Sequence, residues 1–221
     1  MNYRITKLLL HSFVVFAMLI FVKPVFCQNK LMSDIIGVEI SGGISRFMSQ
    51  INSDSFCYIP NYSFYYYFGK QYSKTDLTLN IGLIKKGSGK KSHPQWKYNL
   101  YYISMSPLID ISFITKKRAL FIGGYANLLL KDNIYGENDK PVSWVKNGTK
   151  KFDYGMILGY KLAFYTKNNF SLSLNMRVEY SLFSIYDNER YYLSDWNSKW
   201  DKNLSFQLGV KLKKITNLIK I

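Results

Sequence analysis

Phe152-DYGMILGYKLAFYTKNNFSLSLNMRVEYS-Leu182 spells out two strands and a turn in alternation. In the first arm Tyr154, Met156, Leu158, Tyr160, Leu162 and Phe164 share one parity, and Asp153, Gly155, Ile157, Gly159, Lys161 and Ala163 share the other. After Thr166-Lys167-Asn168-Asn169, the residues Phe170, Leu172, Leu174, Met176, Val178, Tyr180 and Leu182 oppose Ser171, Ser173, Asn175, Arg177, Glu179 and Ser181. Successive side chains of a strand point to opposite faces, so each arm has one apolar face and one that is mostly small, polar or charged. A soluble sheet sustains such a pattern for about five or six residues. Here it lasts about twelve in each arm, the length a tilted strand needs to cross a bilayer. The stretch reads as a transmembrane β-hairpin.

The rest of the chain can be tested against that reading. Its 221 residues suffice for one domain. The chain carries 30 Lys plus Arg against 14 Asp plus Glu, and 17% of its residues are aromatic. Basic and aromatic-rich chains can bind nucleic acid, but here the aromatics lie on alternating apolar faces and do not interleave with Lys and Arg. No nucleic-acid partner is expected; a basic surface against lipid phosphates is the better meaning of the charge.

Residues 1–27 have the form of a signal peptide: Arg4 and Lys7, a mostly apolar run from Leu8 to Val22, then Val25-Phe26-Cys27. Val25 and Cys27 suit the small-residue preference before a cleavage site, which is placed after Cys27. Acylation of Cys27 as a lipoprotein is the rival, and the bulky Phe26 before it is a poor fit. With Cys27 removed, Cys57 is the one remaining cysteine, so an internal disulfide framework is ruled out.

Six further stretches of the same alternation organise residues 28–221 as one barrel domain. Strands are expected over Ile35–Phe47, Pro60–Gly69, about 76–83, Lys97–Phe113, about 120–130, the two arms of the hairpin, and 203–212. Pro107 falls inside the fourth, where a bulge is expected to break the ladder. Connections alternate long and short, with Lys85–Pro94 among the long ones. Short turns on the periplasmic side, long loops outside and an even strand number describe an all-β, eight-stranded antiparallel up-and-down transmembrane barrel. A soluble calyx would invert the faces. The inward set here includes Glu39, Asp76, Asp110, Asp153, Lys161, Arg177, Glu179 and Lys211. Burying these in a dry core would cost several kcal/mol each, whereas a polar lumen lets them pair.

Eight strands enclose a space that side chains can fill. With Tyr65, Tyr67, Tyr102, Phe121 and Tyr125 also inward, a plugged barrel is expected, its eight charges forming a structural network. A narrow gated ion path is the functional alternative for the same charges. Catalysis has little to stand on. The mature chain has one histidine, His93, near Ser88 and Ser92 in a Gly/Lys/Ser loop, with no placed carboxylate to orient it. No metal-ligand cluster and no phosphate-cradling motif is present, so no catalytic residue, metal or cofactor is expected. Trp96, Trp144, Trp196, Trp200, Tyr135, Tyr191 and Tyr192 fall in or beside the long loops. An interfacial aromatic girdle explains them, with a partner-binding or glycan-binding surface as the alternative. Lys85, Lys86, Lys90, Lys91, Lys146, Lys150 and Lys151 are expected near lipopolysaccharide phosphates, and Lys70, Lys74, Lys116, Lys117 and Lys167 on the periplasmic turns.

Four stretches carry a family likeness: Leu77-TLNIGLIKK-Gly87, Tyr102-ISMSP-Leu108, Phe121-IGGYANL-Leu129 and Phe152-DY-Gly155. In order and spacing they resemble the PorT-like, porin-family outer-membrane β-barrel domain, over most of residues 35–212. The resemblance implies an integral protein of the Gram-negative outer membrane, and some members of that family serve type IX protein secretion and gliding. It makes Pro107 a family feature. The chain departs from such barrels in running on past Leu212 through Lys213-Lys214-Ile215 to Ile221, where an aromatic terminus is common. The expected function is therefore a non-enzymatic structural or accessory component of the envelope. Its expected partners are outer-membrane lipid, lipopolysaccharide and a protein of an envelope or secretion complex. A small solute channel or transporter is the alternative from another class.

Overall fold

The computed structural model describes residues 32–48, 56–72, 74–91, 96–113, 117–135, 149–185 and 202–219, and among these described residues nine strands form. The expected signal peptide lies outside them, as do His93, Lys116, Lys146, Trp144, Trp196, Trp200, Tyr191 and Tyr192. The strands are β1 (Met32–Met48), β2 (Phe56–Cys57), β3 (Ile59–Gln71), β4 (Thr75–Lys90), β5 (Lys97–Ser112), β6 (Arg118–Tyr135), β7 (Phe152–Lys167), β8 (Phe170–Ser181) and β9 (Lys202–Ile219). Eight are long. The two-residue β2 continues β3 along β4, pairing Phe56 with Lys90 and Cys57 with Gly89.

All neighbouring long strands are antiparallel, and two pairings close the sheet: β1 with β9, and β4 with β5. The result is a closed eight-stranded antiparallel barrel with no open edge between its long strands. Short connections join β3 to β4, β5 to β6 and β7 to β8, and β1 begins at that same end. In the β7–β8 hairpin, Lys167 pairs with Phe170 across Asn168-Asn169. Asn168 takes φ of 52°, a left-handed conformation that asparagine tolerates in a tight turn.

The faces fall as the alternation requires. Ile40 is 62% exposed and Leu158 58%, whereas Lys161 and Arg177 are buried inside the barrel. A bulge between Ala163 and Tyr165 leaves Phe164 unpaired, so that Phe164 and Tyr165 both point outward beside Phe170 at the short-turn end. Aromatic residues at this level are the interfacial kind.

Three expectations are corrected. Lys85–Lys90 is not a loop but the last third of β4, so Lys86 points into the barrel while Lys85 stays outside. Pro107 introduces no bulge: it pairs with Leu79, and β5 meets β6 in one register on either side of it, Met105 opposite Ala126 and Leu108 opposite Gly123. The missing N–H thus removes a rung without adding a residue, and the shift in this pair lies instead at Tyr101/Tyr102. Finally, the run past Leu212, open to being either an extra periplasmic segment or more of the last strand, is strand. Lys213 and Lys214 pair with Ser171 and Phe170 of β8, and Ile219 lies opposite Met32 of β1.

Candidate functional site

Among the described residues it is the lumen that collects the ionic and polar side chains, and it is built in layers. At the long-loop end Phe47, Phe56, Ile84, Tyr98, Leu100, Tyr102 and Ile185 pack into an apolar stopper, with Trp96 and Leu129 against it. The Phe47 ring lies 5.6 Å from Phe56 and 5.7 Å from Tyr98. Trp96 therefore serves this interior cluster and not a lipid-facing girdle.

Below the stopper runs a chain of ion pairs. Arg177 Nη2 donates to Glu39 Oε1 at 2.7 Å, and Asn175 Nδ2 donates to Glu39 Oε2 at 3.0 Å. Arg177 Nη1 reaches Glu179 at 3.5 Å, Lys86 Nζ lies 2.9 Å from Glu179 Oε2, and the same ammonium is 3.5 Å from Asp153 Oδ2. Asn127 Nδ2 and the Tyr125 hydroxyl complete the cluster on Asp153, at 3.2 and 3.4 Å. Aromatic faces shield the cations: Arg177 sits 5.0 Å from the Tyr65 ring centre and Lys86 3.8 Å from that of Tyr125. All five charged members are nearly or wholly buried. Each would be costly alone; together they satisfy one another.

Room for the rings comes from the small residues of β7. A Cβ on Gly155 would lie 2.4 Å from Tyr125 Cζ, and one on Gly159 would lie 2.1 Å from Phe121 Cζ. Glycine at these two points is what lets the neighbouring strand fold its rings across the barrel. Phe121 and Tyr125 join Leu108 and Ile157 in a second, smaller apolar cluster.

Nearer the short turns lies a second ionic group. Lys161 Nζ is 2.5 Å from Asp110 Oδ2 and 3.3 Å from Asp76 Oδ2, and Lys213 Nζ donates to the same Asp76 oxygen at 2.8 Å. Lys211, 3% exposed, stacks its ammonium 4.0 Å from the Tyr67 ring centre. A pocket at this mouth is lined by Lys74, Asp76, Lys161, Lys211 and Lys213 together with Gln71, Tyr72, Ser112, Ala163, Ser171 and Ser173. At the rim, Lys70 pairs with Asp34.

All eight lumen residues named from the sequence therefore face inward, divided between two clusters. Glu39, Asp153, Arg177 and Glu179 belong to the upper one; Asp76, Asp110, Lys161 and Lys211 to the lower. Lys86 and Lys213 were missed. Both continue an inward parity already established, Lys86 after Asp76, Thr78, Asn80 and Ile84, and Lys213 after Lys211. The polar run Lys85-KGSGK-Lys91 looked like a loop and hid the first. The interior serines hydrogen-bond to one another and to neighbouring amides: Ser41 and Ser63 share a hydrogen bond, and both reach Gln207 Oε1, at 3.1 and 3.2 Å. Among the described residues no group of three His, Cys, Asp or Glu could hold a metal ion.

Among curated proteins, none matches the chain in sequence. Solved structures do resemble it. Neisserial surface protein A of Neisseria is 12% identical with a TM-score of 0.47, over 80% of this chain and 95% of that one. The attachment invasion locus protein Ail of Yersinia pestis, solved with the heparin analogue sucrose octasulfate, is 11% identical with a TM-score of 0.38, over 84% and 99%. The outer membrane protein OprG of Pseudomonas aeruginosa is 12% identical with a TM-score of 0.37, over 84% and 96%. At the level of families, residues 28–187 match the one described as outer membrane protein beta-barrel domain, a span of well over half the chain. With its closed barrel, apolar outer band and ionic lumen, the chain belongs to that outer-membrane β-barrel family.

Proposed function

We propose that this protein is a non-enzymatic structural or accessory barrel of the Gram-negative outer membrane, closed to solutes along its axis. The observation that supports this reading is the stacking of the lumen: an apolar stopper, an ionic layer and a ring-filled middle follow one another with buried side chains at each level. A pore that conducts needs a continuous wet path, and an interior of eight strands is filled by side chains of this size. The proposed partners are outer-membrane lipid and lipopolysaccharide, with Lys85, Lys91 and Lys151 at the long-loop end facing outer-leaflet phosphates. A tie to type IX secretion and gliding rests on the sequence resemblance alone, and a docking role in such a complex is the accessory function it suggests.

Reconstitution of the purified barrel in a planar bilayer tests the closed-lumen reading. The expected record is baseline current. Stable, stepwise openings would instead establish the solute-channel reading. For the secretion tie, a deletion strain that exports its type IX cargo and glides normally would remove it.

A further inference from the structure

The lower ionic group carries more positive charge than its own carboxylates balance. Asp76 and Asp110 face Lys161, Lys211 and Lys213, and Lys74 adds a fourth ammonium at the rim of the same pocket. Lys161 and Lys213 are held by carboxylates, whereas Lys211 has no ion pair or hydrogen bond among the described residues. Its closest contact is the Tyr67 ring behind it, and the carboxylates of Asp110 and of Glu39, its neighbour across β1, attract it from beyond ion-pair distance. A cation stacked on a ring from one side leaves its remaining N–H donors to the other, and that other side is the pocket. Burying an ammonium with its donors unmet costs several kcal/mol, so the site as built favours a counter-ion. The nearest surplus of negative charge, in the Glu39 cluster, is engaged with Arg177, Asn175 and Lys86.

We propose that the short-turn mouth of the barrel is a binding site for a small oxyanion of the phosphate class, held by Lys211 and Lys74 with the Ser171 hydroxyl as a neutral donor. The anion would enter from the periplasmic side, since Tyr72 and the exposed Lys74 of the β3–β4 turn form the rim. Lysines suit such a ligand because each presents a compact charge with rotatable donors. The phosphate can come from a free periplasmic anion or from an inner-leaflet headgroup reaching over the rim. The site does not depend on whether the lumen is sealed higher up.

The test is a titration of the mature barrel, refolded in a phosphorus-free maltoside detergent, with inorganic phosphate followed by phosphorus NMR. Saturable one-site binding is expected. Lys211→Met should weaken it roughly tenfold, as loss of a charge-assisted hydrogen bond does. Lys211→Arg should retain it within about threefold. If Lys211→Met does not refold, Lys74→Gln at the exposed rim should still weaken binding about two- to threefold. Absence of saturable binding in detergent, or parental affinity in both Lys211→Met and Lys74→Gln, overturns the site. Repeating the titration in phosphatidylglycerol nanodiscs separates the sources: unchanged affinity assigns the free anion, and loss of binding there alone assigns the headgroup.

Discussion

Lys85 and Lys86 are adjacent, chemically identical and on opposite sides of the barrel wall, which makes them a controlled pair. Lys86 is fully buried, with its ammonium 2.9 Å from Glu179 and 3.5 Å from Asp153. Lys86→Met keeps the length of the side chain and removes the charge, leaving two buried carboxylates short of a cation. Breaking a buried pair in this way costs about 3–5 kcal/mol. The lower end applies here, because Glu179 keeps Arg177 at 3.5 Å and Asp153 keeps Asn127 at 3.2 Å. The expected loss is therefore about 3 kcal/mol. Lys85, outside, lies 5.6 Å from the Tyr62 ring centre, a contact worth about 0.5–1 kcal/mol at an exposed site, and Lys85→Met should cost no more than that. Equilibrium urea unfolding of the refolded barrel in lipid vesicles measures both. A second variant checks the cause: in Lys86→Met/Glu179→Gln one of the two stranded charges is gone, and the pair should show a coupling of about 1 kcal/mol or more. Equal stabilities for Lys85→Met and Lys86→Met would refute the placement of β4 and return Lys86 to a surface loop.

Three further outcomes follow from the same geometry. Leu158→Arg puts a charge on the lipid face near the middle of β7 and should destabilise the barrel by about 2–4 kcal/mol in vesicle unfolding. Gly155→Val places atoms within 2.4 Å of the Tyr125 ring and 2.2 Å of the Tyr180 carbonyl oxygen. Overpacking of that kind costs about 1–3 kcal/mol, and Tyr125→Ala in the same chain should recover part of it in the same assay. Asn168→Val forces a β-branched residue into φ of 52° and should lower stability by about 1–2 kcal/mol, whereas Asn168→Gly should leave the urea midpoint unchanged or raised.

Much of this architecture is legible in the alternation because a membrane imposes it on every strand at once. The outward faces of β3 (Tyr62, Phe64, Tyr66, Phe68) and β9 (Phe206, Leu208, Val210) can be read without any structure, and so can inward charges such as Lys161 of β7 and Arg177 of β8. What could not be read is where a strand stops. Lys86 lay beyond the last apolar outward residue of its strand, Leu83, and Lys213 beyond Leu212. The cue for a strand end was the loss of an apolar outer face, and that cue marks the edge of the bilayer instead. Hydrogen bonding continues past it: β4 stays paired with β5 as far as Gly89, and β9 stays paired with β1 as far as Ile219. The partners within the lumen were hidden for another reason. Parity tells which face a charge is on, but the pairing of Arg177 with Glu39 across 138 positions depends on the tilt and closure of the sheet.

That edge also explains why the stopper is greasy when the lumen beneath it is not. Around the bilayer the outside of the wall must be apolar, and the interior takes the polar residues. Above it the outside meets water, and the same strands change sides: Lys97 and Asn99 of β5 and Lys131 of β6 face outward, while Tyr98, Leu100 and the neighbouring Phe47 turn in. The upper part of the barrel is thus organised like a small soluble β-barrel set on top of a membrane one. Its stability there comes from apolar burial, at about 25 cal/mol per Å² removed from water. The two halves therefore respond to different perturbations. Charge substitutions such as Arg177→Met, between the lipid-facing Met176 and Val178, strike the membrane half. Leu100→Ala strikes the other half: it opens a cavity in the stopper and should cost about 2–5 kcal/mol. If the stopper is also what seals the axis, Leu100→Ala combined with Phe47→Ala should produce conductance in a planar bilayer where the parent shows none. Silence from that double variant, in a folded barrel, would move the seal down to the ionic layer.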